Sequence, residues 1–352
     1  MAAYILKRLL LMIPTLLGVL LITFVIIQFV PGGPVEQLVA QLQGQGTHGE
    51  ASAGIEGLYR GAKGLDEERL EELKSYYGFD KPAWQRFVEM VGNYLTFDLG
   101  ESFFHHKSVM ELIIDKLPVS ISLGMWTFFL TYLICIPLGI AKAVRDGTPF
   151  DVVSSTLVLI GYAIPGFVLG LTLLVLFGGG SFWDLFPLRG LTSDNWEQLT
   201  WFGRVMDYLW HMVLPVTAAV MGNFAVMTML TKNSFIEELR KQYVLTARAK
   251  GQTEREVMYH HVFRNAIIPL ITGFPAAFIG AFFSSSLLIE TIFSLDGLGL
   301  LSYDSVMKRD YPVVMGSLYF FTLLGLIAKL LTDISYVLVD PRIQFESVGG
   351  GR

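Results

Sequence analysis

The chain has 352 residues, of which 53% are hydrophobic and 16% charged, against about half and about a quarter in an ordinary soluble domain. The net charge of −5 conceals an uneven distribution, and the single cysteine rules out an intramolecular disulfide. Several windows of about twenty residues hold almost no charge, which is the length a helix needs to cross the hydrocarbon core of a bilayer. These windows exclude a soluble globular domain and indicate an all-α integral membrane protein.

Six such windows are found, at about 9–30, 117–141, 151–178, 209–231, 266–289 and 312–339. The first follows Lys7 and Arg8. Its apolar run, Leu9 to Val30, exceeds the core of about 7 to 15 residues typical of a cleaved signal peptide, so a retained span is expected. Pro31-Gly32-Gly33-Pro34 then ends the helix, because proline lacks the amide donor and glycine favours turns. Residues 31–116 carry eight Lys or Arg against fourteen acids and form a large region outside the membrane. Within it the glycines from Gly44 to Gly64 mark a loose stretch. Asp66 caps an amphipathic helix, DEERLEELKSYY, with Leu70 and Leu73 on one face. Tyr94 to Phe104, aromatic and turn-rich, is expected at the outer membrane surface.

The second span contains Cys135, read as a small packing residue. The third ends at Gly178-Gly179-Gly180. Trp183, Trp196, Trp201 and Trp210 follow as interfacial anchors, since an indole satisfies both its ring and its N–H at the headgroup level. Pro137, Pro165, Pro215, Pro269 and Pro275 fall within spans. Each frees a backbone carbonyl that lipid cannot satisfy, so the kinks are expected to face other helices or a wet cavity.

The segment 232–265 is different in kind, with seven Lys or Arg against four acids. Ser234 precedes Glu237 by three positions and Thr253 precedes Glu256 likewise, so two short helices are expected, each opening with a capping box. Gly251 suits the left-handed turn that ends the first of them. Small residues at Ala247, Ala249 and Gly251 permit close approach of another protein's backbone, while Arg248, Lys250 and Arg255 offer charged grips. A DNA-reading helix-turn-helix has no room to dock on so short a tether against a bilayer, so no nucleic acid is expected as a partner. A plain solvated basic loop is the bland alternative. Basic loops stay in the cytoplasm. That rule places this segment, the Lys142 to Arg145 turn and both termini inside, as an even number of spans requires.

The residues from Tyr243 to Pro269, YVLTARAKGQTEREVMYHHVFRNAIIP, resemble the cytoplasmic signature of the permeases of bacterial binding-protein-dependent ABC importers, in their dipeptide and oligopeptide branch. The resemblance extends to the run at Lys7 to Val19, to PGGP at Pro31 to Pro34 and to YGFDKP at Tyr77 to Pro82. It includes DLGES at Asp98 to Ser102, ETIFSLDGLG at Glu290 to Gly299, RDYPVV at Arg309 to Val314 and LVDPRI at Leu338 to Ile343. Leu245, Thr246 and Ala247 stand where the general signature has Glu-Ala-Ala, and Phe263-Arg264 where it has Leu-Pro; both departures are typical of the peptide branch. The glycine-rich insert from about Gln41 to Gly64 is most similar to that of microcin C type peptide importers.

The resemblance implies a type I ABC importer permease: six transmembrane helices, a large periplasmic region after the first and a cytoplasmic coupling helix pair. It divides the chain into a first helix, 1–30, a periplasmic region, 31–116, a five-span core, 117–339, and a cytoplasmic tail, 340–352. It implies a bacterial inner-membrane location, a peptide substrate, a second homologous permease subunit, two ATPase subunits and a periplasmic peptide-binding protein. Ala247, Arg248, Ala249, Lys250, Gly251, Thr253 and Glu256 are then the expected ATPase-docking residues. The sequence contains no G-x-x-x-x-G-K-[ST] phosphate loop, so ATP is expected on partner subunits and no cofactor on this chain. His105-His106 and His260-His261 lack helical zinc spacing.

Inside the membrane, Lys329 and Asp333 lie four apart and are expected to pair. Glu290 and the serines Ser284, Ser285 and Ser286 are pathway or gate candidates. Two rivals are a membrane-embedded enzyme, for which paired carboxylates are wanting, and an ion-driven transporter, for which inverted halves are wanting.

Overall fold

Hydrocarbon offers no partner for a backbone N–H or C=O, so a chain of this composition satisfies them internally as helices. A computed structural model describes residues 2–29, 81–179, 182–283 and 286–339. Among these, five helices are long and apolar enough to cross a membrane: Tyr4–Phe29, Val109–Val144, Trp201–Leu239, Ile268–Ile292 and Tyr311–Ser335. The third expected span is a bent pair, Pro149–Ala163 and Gly166–Phe177, turned by 93° at its break. Counted as one span, the pair brings the total to the expected six. Pro165 supplies the cause, because a residue preceding proline is pushed out of the helical region. Ile164 accordingly has ψ 118° and Pro165 ψ 134°.

The second and fourth spans are longer than their apolar windows. The second begins at Val109 behind a capping box not anticipated from the sequence: the Glu111 amide donates to Ser108 Oγ at 3.2 Å and the Ser108 amide to Glu111 Oε2 at 3.2 Å. The fourth begins at Trp201, where Thr200 Oγ1 accepts from the Gly203 amide, and continues unbroken to Leu239. Ser234 therefore lies inside a helix. The expected helix start there is incorrect, since a capping residue acts only where the backbone leaves helical geometry.

The described residues form two compact units. The first comprises the described residues 2–9, 115–179, 182–283, 286–301 and 323–339. Its core packs Leu123 of the second span, Met212 to Val220 of the fourth, and Ile289, Phe293 and Leu295. Cys135 is fully buried and its Sγ points at the Phe224 carbonyl, 3.5 Å away. Gly124 is required by close approach: a Cβ there would stand 1.7 Å from the Ala281 carbonyl oxygen of the fifth span. Asp333 pairs not with Lys329, which is exposed, but with Arg8 of the first span at 2.9 Å, and accepts from Tyr4 Oη at 3.1 Å. The guanidinium of another helix wins because it joins two spans, with Asp333 turned toward it and only 15% exposed.

The second unit comprises the described residues 10–29, 81–114 and 302–322. It brings together two of the motifs read from the sequence. Ser102 of DLGES donates to Oδ2 of Asp310 in RDYPVV at 2.5 Å, and the Phe103 amide donates to the same buried carboxylate at 3.1 Å. The helix Ala83–Leu95 packs Tyr94 on Tyr319, with ring centroids 5.1 Å apart. The expected helix after Asp66 and the glycine-rich insert lie outside the described residues.

Overpacking a tight helix contact costs about 1 to 3 kcal/mol. Gly124→Ala is therefore expected to lower the unfolding temperature of the detergent-solubilised protein, whereas Gly18→Ala, with nothing within 4 Å of its added methyl, leaves it unchanged. Equal thermograms for both variants would remove the inferred contact of spans two and five.

Candidate functional site

The charged segment between the fourth and fifth spans folds as a helix, a glycine turn and a second, irregular helix. The first is Gln242–Ala249, with Lys241 as its extended N-terminal residue. It ends in a Schellman motif: the Gly251 amide donates to the Arg248 carbonyl at 2.9 Å and the Gln252 amide to the Ala247 carbonyl at 3.4 Å. Gly251 has φ +82°, a conformation costly for a residue with a Cβ. The second helix starts at Thr253, and here the expected capping box is present. The Glu256 amide donates to Thr253 Oγ1 at 3.3 Å and the Thr253 amide to Glu256 Oε2 at 2.8 Å.

After Glu256 the helix widens into a π-turn, Val257–Val262, before Phe263–Ala266 leads into the fifth span. Five-residue spacing puts Val257 and Val262 on one side, and both are fully buried. They join Phe235, Val244, Ala247, Ala266 and Ala143 in a small core. Ala247 thus faces its own chain at 5% exposure and is not available to a partner. Arg248, Ala249, Lys250, Gly251, Thr253 and Glu256 are exposed together around the turn. Arg248 is already engaged, its guanidinium meeting both oxygens of Glu254 at 2.8 and 3.0 Å. That pairing raises the Arg248 pKa, and the Thr253 amide holds the Glu256 carboxyl below its ordinary value.

Polar contacts brace this tip to the spans. Tyr243 Oη donates to Glu238 Oε2 at 2.5 Å and accepts from Asn265 Nδ2 at 3.2 Å, joining the end of the fourth span to the approach of the fifth. Lys241 also donates to Glu238, which raises its pKa.

Deeper lies a cluster that sequence reasoning treats only as part of a basic turn. Lys142, with no exposed surface, meets Asp151 Oδ1 at 3.1 Å and donates to Ser154 Oγ at 2.9 Å and Ser155 Oγ at 2.6 Å. Asp151 Oδ2 pairs with Lys232 of the fourth span at 2.7 Å, and Lys232 also reaches Asp146 at 3.0 Å. The signal was present: a lysine and an aspartate flank a short turn, and a lone lysine closes an apolar run.

Residues 135–345 match the family described as the inner membrane component of binding-protein-dependent transport systems. The chain belongs to this family. Over 98% of its length it is 57% identical to the peptidoglycan transport system permease protein YejB of Agrobacterium fabrum, covering 99% of that protein. It is 53% identical to the inner membrane ABC transporter permease protein YejB of Escherichia coli O157:H7 over 98% of its length, covering 100% of that protein. The dipeptide transport system permease protein DppB of Escherichia coli strain K12 is 33% identical over 98% of this chain and 99% of its own. The protein is therefore a multi-pass inner-membrane permease of an ABC importer, working with ATPase and binding-protein partners, and ATP hydrolysis resides on separate subunits.

For this permease the remaining candidates fall in two places. Ser286 lines a cavity within the first unit, and Ser284 and Ser285 lie outside the described residues. Glu290 is fully buried and folds back on the loop that follows it, where its Oε2 accepts from the Leu300 amide at 2.8 Å. A Cβ at Gly297 would stand 2.5 Å from the other oxygen. Among the described residues no group of three or more His, Cys, Asp or Glu could hold a metal.

Removing one partner of a buried ion pair leaves an uncompensated charge at a cost of about 3 to 5 kcal/mol. Asp151→Asn is expected to destabilise the purified permease strongly, whereas Asp146→Asn, at a 42% exposed side chain, changes its thermal unfolding little. Equal shifts would show that the cluster is not held by its buried member.

Acid should open the tip selectively. A depressed Glu256 pKa means that the box contributes fully above the ordinary glutamate value near 4.5 and is lost as pH falls through the lowered one. The protection of the Thr253 amide against hydrogen exchange, relative to an unstructured peptide at the same pH, is expected to fall over that window, and a Glu256→Gln variant, which keeps the cap without the charge, to lack the transition.

Proposed function

We propose that the permease moves peptides or peptide-like compounds inward by alternating access, as one half of a pore completed by a second, homologous permease subunit. The tip at Arg248 to Glu256 is the handle on which a cytoplasmic ATPase subunit docks. One observation carries this reading: a short helix fixed on one side by Val244 and Ala247 presents a glycine-stopped, exposed turn on the other. Movement of the tip passes to the spans through Glu238, Tyr243 and Asn265, because these join the fourth span to the entry of the fifth.

On this reading both termini and residues 232–265 lie in the cytoplasm, and residues 31–116 in the periplasm, where a peptide-binding protein delivers cargo. The first helix, 1–30, precedes that region, the core is 117–339 and 340–352 is a cytoplasmic tail. The peptide class is supported by the names of relatives, among them dipeptide permeases. The insert at 41–64 favours a permease of the microcin C type of peptide importer. Glu290 acts at the outer gate through the loop it holds, not as an exposed wall.

The docking role is tested at Gly251. Its position is open, with nothing within 4 Å of an added Cβ, so substitutions act through backbone strain and through the partner. Gly251→Glu is expected to insert normally yet lose copurifying ATPase subunits and peptide uptake. Gly251→Asn, whose residue type tolerates φ above zero, retains both in large part. Wild-type uptake by Gly251→Glu would refute docking at this turn.

A further inference from the structure

A second polar feature lies far from the tip, near the middle of the spans. Asn223 sits close to the centre of the fourth span, Trp201–Leu239, with its side chain exposed among apolar neighbours such as Val226 at 60% exposure. Among the described residues nothing hydrogen-bonds its amide. Hydrocarbon would leave both the donor and the acceptor of that amide unsatisfied, so lipid is not its environment in the assembled transporter.

Asn223 borders a cavity of about 320 Å³. Thr127 of the second span lines it, as do Gly166 and Phe167 at the break of the bent third span, and Ser286. A broken helix at membrane depth is tolerated where it is buried in protein or lines a water-filled cavity, and such breaks mark substrate sites in other transporters. None of the lining residues carries a formal charge. The site therefore suits a neutral polar group and not a carboxylate or ammonium terminus. A primary amide with one acceptor and two donor hydrogens complements a peptide bond on both sides.

We propose that this cavity is a cargo subsite in which Asn223 hydrogen-bonds a backbone amide of the passing peptide, with Phe167 packing beside it. The inference deepens the peptide-import reading and rests on it for the identity of the ligand. The cavity is at the small end of the range for ligand sites, about 300 to 1,000 Å³, so it holds a short stretch of chain and not a whole oligopeptide. Contact with the companion permease is the competing explanation of an exposed mid-span asparagine, since amides also join helices in membranes. A concave site at a helix break favours cargo.

The test uses the assembled complex with its binding protein in proteoliposomes and trialanine as probe. In a Cys135→Ala background, Asn223→Cys should react with a charged, water-soluble maleimide in at least one nucleotide state, and trialanine should protect it. Asn223→Leu should leave assembly intact and lower trialanine uptake about tenfold, the effect of one lost hydrogen bond to the cargo, with partial recovery in Asn223→Gln. Absence of labelling in every state, unchanged uptake by Asn223→Leu, or separation of the two permease chains in that variant would each overturn the subsite. A wild-type complex that imports no trialanine counts against peptide import instead. Labelling at position 223 would then still support a wet cargo site, and its absence would overturn it.

Discussion

A lysine with no exposed surface has to be surrounded by oxygen, and the arrangement around Lys142 fixes the course of the chain well beyond it. Its ammonium holds Asp151 and two serines from the start of the bent span, so the turn between the second and third spans closes in one geometry. Asp151 in turn holds Lys232, and Asp146 extends the line to Arg240 at the very end of the fourth span, 3.7 Å away. Desolvating Lys142, Asp151 and Lys232 is costly, and their pairs offset that cost only if all three are kept. The exit of the fourth span is thereby set, and the short helix Gln242–Ala249 leaves from a defined place.

On the proposed docking role, that defined exit lets the tip serve as a handle. A segment that transmits movement must not unravel under load, and the turn meets this with local bonds alone. The Schellman motif and the capping box together satisfy the backbone groups that a helix end and a helix start expose. Arg248 and Glu254 neutralise each other across the turn. The surface left for a partner is largely shape, with small residues at Ala249 and Gly251 flanked by Lys250 and Arg255. The π-turn after Glu256 is an irregularity of a kind often found at functional positions. Here it has a packing reason, since it sets Val257 and Val262 on the same side against Phe235 and Val244.

The features legible in the sequence were those decided locally. Six spans follow from runs of apolar residues, and Gly251 and Thr253 follow from turn and cap chemistry within a few positions. The 93° break follows from Pro165, although its size does not. Where local rules failed, a longer-range term prevailed. Ser234-x-x-Glu237 has the pattern of a helix start, but the fourth span propagates through it. Asp333 has a lysine four residues away and takes an arginine from the opposite end of the sequence. Ser102 and Asp310 both belong to recognisable motifs, yet nothing in either motif announces that they meet. Ala247 was legible in part: it lies three positions after Val244 on the same helical face, so its burial follows once that face is known to pack inward.

The same contrast between satisfied and unsatisfied polar groups separates the ends of the molecule's task. At the Lys142 cluster and in the tip, polar side chains find partners within the chain, which makes those regions rigid. Thr127, Thr172 and Thr217 likewise return their hydroxyls to carbonyls of their own helices, at 2.7, 2.8 and 2.6 Å, and so need nothing from outside. Asn223 does not fit this scheme. Among the described residues its side-chain amide has no hydrogen-bond partner, and on the subsite proposal the passing cargo supplies one. A permease has to bind its passenger weakly enough to release it. A single neutral amide at a helix break, with no charge to trap the cargo, is the arrangement that this requirement favours.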